Sequence, residues 1–177
     1  MLATALSIDT LETDGFVSVP LSTPLQAHID NLSWTWRDFL RLPEEVRRQF
    51  PYLPDVTNSG SGYEPPDTEK RDFKHVFHAQ LKHESWLRDQ AFLVGDRAAR
   101  QLVDETLKLL HMLQPVLAEF TDALERNYPV GSLTNDLFAG YDECIIRLLH
   151  YPGGVHAVGE ELAVQHVDKG AFTGHLY

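Results

Sequence analysis

The sequence predicts an α+β domain, or helices packed onto a β-sandwich, and three observations carry that prediction. Residues 96–127 hold one apolar stripe at helical spacing, from Ala98 through Leu102, Leu107, Leu110 and Leu117 to Leu124. Residues 144–151 are rich in β-branched and apolar side chains, and residues 171–177 alternate apolar with polar ones. Helices come first in this order and strands afterwards. At 177 residues the chain has room for one domain, which we divide into a helical N-terminal region (1–139) and the strands of 140–177.

Each element follows from its local pattern. Residues 15–20 alternate as a short strand would. Ser22 or Thr23 can then cap a helix with Pro24 in its first turn. Leu25, His28, Ile29, Leu32, Trp36 and Phe39 recur at helical spacing as far as Leu42. A second short helix fits residues 43–50. Residues 51–70 hold four of the ten prolines together with Gly60 and Gly62, and read as a long irregular segment. Residues 73–78 re-enter as a strand. Pro115 falls inside the long stripe and should kink or divide its helix. Trp34, Trp36 and Trp86 read as core anchors, His111 as an interfacial side chain, and Lys74 as a local surface partner.

Composition narrows the function. The net charge is −11, and no Lys/Arg cluster extends beyond Arg47-Arg48 and Lys70-Arg71, which disfavours a phosphate backbone as partner. No run approaches the ~20 apolar residues that span a bilayer, and the N-terminus lacks the pattern of a secretory signal. A cytoplasmic protein with no nucleic-acid or membrane partner is expected. Cys144, the single cysteine, has no internal disulfide partner and reads as a small core residue. Nine histidines are many for this length, but His75, His78 and His83 lack the cysteine or carboxylate that would complete a zinc pattern, and read as solvated or loop side chains. No His-Glu-x-x-His motif supports a zinc hydrolase.

The chemistry concentrates at His166-Val167-Asp168. In an extended strand, residues two apart project to the same face, so an imidazole and a carboxylate stand side by side. These are two of the three facial ligands of a non-haem iron(II) site, which leaves its other positions open for cosubstrate and O₂. Upstream lies Arg147-Leu148-Leu149-His150-Tyr151-Pro152-Gly153, and downstream Lys169-Gly170-Ala171-Phe172-Thr173. Together these segments resemble the core of the iron(II)/2-oxoglutarate-dependent oxygenases of the isopenicillin N synthase-like family. Further motifs resemble that family in the same order: Asp14-Gly15-Phe16 as an opening strand, the Trp36 to Phe50 stretch as a first helix pair, and the Gly62 to His78 stretch.

The resemblance implies a double-stranded β-helix (jelly-roll) core preceded by helices, here incomplete. It implies iron(II) and 2-oxoglutarate as cofactors, O₂ as co-reactant and a small-molecule substrate, usually hydroxylated. His166 and Asp168 would ligate the metal, and Tyr151 would contact the cosubstrate carboxylate. Many members carry an asparagine two positions before that tyrosine, where this chain has Leu149. The family's third ligand, a later histidine, and its Arg-x-Ser motif are not among the 177 residues, so catalysis by this chain alone is expected to be incomplete. His175 could stand in as third ligand, line the substrate pocket or simply pack. The alternative to an enzyme is a non-catalytic interaction module that self-associates through open sheet edges.

Overall fold

The structure is a computed structural model that describes residues 8, 10–54, 60–67, 69, 72–153 and 173–176. Its described part is α+β, with an open four-stranded antiparallel sheet. The helices are α1 (Leu11–Asp14), α2 (Thr23–Leu40), α3 (Glu44–Arg47), α4 (Glu84–Val94), α5 (Arg97–Asn127) and α6 (Leu133–Ala139). The strands are β1 (Leu53–Pro54), β2 (Gly60–Glu64), β3 (His75–Gln80) and β4 (Ile145–His150), and the sheet follows that order. No helix among the described residues is long and apolar enough to cross a membrane.

α2 and α5 form where the apolar stripes placed them. Pro24 sits in the first turn of α2, whose Leu25, Ile29, Leu32, Trp36 and Phe39 are buried. The Asp96 side chain accepts from the Ala98 N–H at 2.7 Å and caps α5, satisfying a donor that the helix itself leaves open. α5 runs unbroken through Pro115. The proline removes a hydrogen bond to the carbonyl four residues back, and both Pro115 and His111 are exposed, so water can serve that carbonyl. α2 and α5 pack on each other and on one face of the sheet. At the centre the rings of Trp36, Phe39, Phe50, Tyr63 and Phe77 interlock. Phe39 lies 5.4 Å from Tyr63, and Phe50 lies 5.5 Å from Phe77, both edge-on.

Several local expectations are corrected. Residues 15–20 form no strand: α1 ends at Gly15, and Phe16 stands exposed rather than paired. The stretch read as irregular contains β1 and β2, so strands interrupt the helices instead of following them all. Its glycines make this possible. A Cβ on Gly62 (φ 109°) would lie 2.1 Å from the Pro51 carbonyl oxygen, and one on Gly60 would lie 2.3 Å from that of Leu53. The hairpin thus closes only because two side chains are missing. Trp34 is 59% exposed, with the Arg37 guanidinium 4.8 Å over its ring, and is no core anchor. His111 is exposed rather than interfacial. Lys74 pairs with Asp72 at 2.6 Å, as expected of a local partner.

Candidate functional site

β4 organises the functional residues because its two faces meet different surroundings. Alternation along the strand puts Ile146, Leu148 and His150 on one face and Ile145, Arg147 and Leu149 on the other. The register pairs Ala79 with Ile146, Phe77 with Leu148 and His75 with His150, so the first set shares the helix-facing side of β3. Ile146 and Leu148 pack onto the core. The second face is open: Arg147 is exposed, and Leu149 is 48% exposed. Tyr151, one residue past the strand, is 42% exposed. The residue expected at the cosubstrate carboxylate is thus partly exposed, two positions after a leucine that offers no hydrogen bond.

His166 and Asp168, the expected ligands, lie outside the described residues. Among those described, no three His, Cys, Asp or Glu side chains gather as a metal-binding group. His175 is exposed, and it lines a cavity of about 690 Å³ beside β4. The cavity's other walls are mostly apolar, from Ile29 and Trp36 of α2, Leu113 and Leu117 of α5, and Ile146 and Leu148 of β4. Trp36 Nε1 is buried with no hydrogen-bond partner. Tyr141 and Cys144 also border the space. Burial pushes the Tyr141 phenol up to about 12, while its hydroxyl donates to the Leu110 carbonyl. Burial likewise raises the Cys144 thiol, which keeps it protonated and unreactive at neutral pH.

Of the histidines read as solvated or loop side chains, His75 and His78 are built into β3, whereas His83 lies in the turn that follows it. Strand geometry, not helix geometry, governs the β3 pair, so His75 and His78 fall on opposite faces. His78 is buried, with Nε2 3.1 Å from Glu64 Oε2, and His83 Nδ1 lies 2.9 Å from the Ser61 hydroxyl. His75 belongs to a chain of contacts at the end of the sheet. Arg47 donates to the Tyr63 oxygen at 3.0 Å, and the Tyr63 hydroxyl lies 2.7 Å from His75 Nδ1. Behind His75 the His150 ring stacks at 6.0 Å. Burial holds His75 down to about 4, reinforced by the charges of Arg47 and His150. Burial also raises the Tyr63 phenol. Arg47 Nε is buried without a hydrogen-bond partner, a condition that costs about 1–3 kcal/mol for a typical donor. Sequence spacing alone could not reveal this group, since its members come from α3, β2, β3 and β4.

No family model, curated protein or solved structure matches the chain.

Proposed function

We propose that the chain carries the iron-binding part of a non-haem iron(II)- and 2-oxoglutarate-dependent oxygenase acting on a small molecule. The supporting observation is the open face of β4, with Arg147 and Leu149 turned from the helices and Tyr151 just past them, in the strand that leads towards His166-x-Asp168. In a jelly-roll core that face would become an inner wall. The residues fit the expected groups: an imidazole and a carboxylate two positions apart suit iron(II), and a phenol and a guanidinium each suit a carboxylate. His166 and Asp168 would hold the metal. When bound, iron(II) and 2-oxoglutarate supply the activation of O₂ that oxidises a substrate C–H bond.

The rest falls to the protein's own side chains. Tyr151 would fix the cosubstrate by hydrogen bonding from its hydroxyl, and Arg147 would add positive charge to the same wall. Leu149 would exclude water where an asparagine would hydrogen-bond. Anaerobic titration of the protein with iron(II) and 2-oxoglutarate tests this reading. A visible charge-transfer band, lost in His166→Ala, is expected. No band in the unsubstituted protein would count decisively against an oxygenase.

A second reading rests on the edge of the sheet. Among the described residues β4 pairs only with β3, and an open edge tends to recruit a strand from another chain. This favours an interaction module that dimerises through β4. A concentration-dependent dimer indifferent to iron, disrupted by Ile145→Pro, is its expected signature. A monomer at every concentration would remove it.

A further inference from the structure

Among the described residues β4 closes the sheet with an edge that lacks the usual guards against pairing. It meets β3 in six consecutive pairs, from Gln80–Ile145 to His75–His150, so no bulge turns the edge away. It holds no proline and no lysine, and four of its six side chains are isoleucine or leucine. The cavity of about 690 Å³ runs along this edge, since every residue from Ile145 to Leu149 borders it. Neighbours in a strand point to opposite faces, so a space touched by five in a row lies along the edge and not over one face. Leu32 and Trp36 of α2, Leu113 and Leu117 of α5 and Leu137 of α6 form its apolar walls. The α5 stripe is buried at Leu102, Leu107 and Leu110 but only half-buried at Leu113 and Leu117, where this space stands in place of a packing partner.

We propose that the β4 edge docks one extended peptide segment of about six residues, apolar at alternate positions and acidic between them. The inference rests on the open edge of the second reading and gives the partner its chemistry. Six residues of β4 present about 20 Å of backbone, enough for one such segment. Main-chain hydrogen bonds then join the strands, and alternate side chains enter the apolar space beside the helices. The intervening side chains lie on the face of Arg147. That arginine is exposed, and no carboxylate among the described residues pairs with it. Glu143, the one carboxylate among the described residues bordering the space, is engaged by Lys82 at 4.0 Å, and His175 adds a second basic group. At physiological salt, charges farther than about 8 Å are screened, so these local groups decide the partner's sign. A second copy's β4 carries no acidic side chain and leaves Arg147 unmet.

The test is an NMR titration of the 177-residue chain with an end-blocked synthetic peptide in which valine alternates with glutamate over seven residues. Saturable shifts along β4 are expected, with slowed hydrogen exchange at alternate β4 amides, those not directed at β3. Two further peptides carry N-methyl groups on every valine or on every glutamate, and each lacks the donors of one edge only. One of the two should lose about tenfold or more in affinity, and the other should still bind. Lysine in place of glutamate should weaken binding about three- to tenfold, and Arg147→Glu, a change at an exposed side chain, should reverse that preference. No saturation, equal binding of the two N-methylated peptides, or no added protection in β4 overturns the inference. A chain that takes the peptide yet stays monomeric at every concentration keeps the inference and removes self-pairing. A chain that dimerises through β4 but ignores the peptide once diluted to monomer overturns the inference and keeps self-pairing.

Discussion

The α2–α5 interface and the α3–β3 corner each enclose a histidine and hold it in opposite ways. His28 is buried between two helices, where Nε2 donates to the Glu105 carbonyl at 2.8 Å and Nδ1 stands 3.2 Å from the Glu105 carboxylate. Both its neighbours are acceptors. His75 meets the Tyr63 hydroxyl and beyond it a cation, Arg47. One ring is surrounded by negative charge and the other by positive. The first pairing ties two helices together, so it serves stability. The second leaves Arg47 Nε buried without a hydrogen-bond partner at the end of the sheet.

The largest effect should come from breaking the completed pair. His28→Ala removes the only ring facing Glu105 Oε2, a buried oxygen with no hydrogen bond of its own, and opens a gap between α2 and α5. Loss of about 3 kcal/mol is expected, read from urea unfolding. A loss under about 1 kcal/mol would mean that the helices are held by their apolar stripe alone.

The His75 corner should show itself through pH. The ring is held down to about 4 against an ordinary value of 6.5, so the folded state favours neutral imidazole. That contribution is whole above the ordinary value and is lost as pH falls towards 4, because the unfolded chain then binds the extra proton. Allowing for solvent screening of a half-exposed ring, the loss is roughly 1–2 kcal/mol. Unfolding midpoints of the unsubstituted chain and of His75→Gln, followed from about pH 7 to about pH 4, should converge on acidification. Parallel curves would show that carboxylates elsewhere account for the acid sensitivity. Tyr63→Phe tests the same corner more gently. It keeps the ring in the aromatic core but deletes the hydrogen bond to Nδ1, at about 1 kcal/mol by thermal melting.

The histidine contrast also marks what the sequence made legible. The stripes that built α2 and α5 repeat along one element, so residues such as Leu102 and Leu107 declare their burial locally. β4 was equally plain from its branched and apolar run. β2 was hidden because Gly60 and Gly62 look like loop residues, and only the approach of Pro51 and Leu53 explains them. α4 and α6 escaped for want of a comparable stripe. The motif that led to the candidate site, His166 and Asp168, rests on resemblance and lies outside the described residues. The His75 corner joins residues up to about a hundred positions apart, from Arg47 to His150, and no periodicity reports on such a meeting.

The smallest effect sharpens the contrast from the side of no contact. His111 lies on the exposed face of α5, one turn before Pro115, and its apolar neighbours in sequence suggested an interface. In the fold it meets neither the acceptors of His28 nor the donors of His75. Replacing it with alanine removes an exposed ring and slightly improves helix propensity, so stability should change by less than about 0.5 kcal/mol in either direction. A larger loss by urea unfolding would show that α5 presents this side to a partner, most directly a second copy of the chain. Repeating the measurement at two protein concentrations would then separate the cases, since only an interface makes the midpoint depend on concentration.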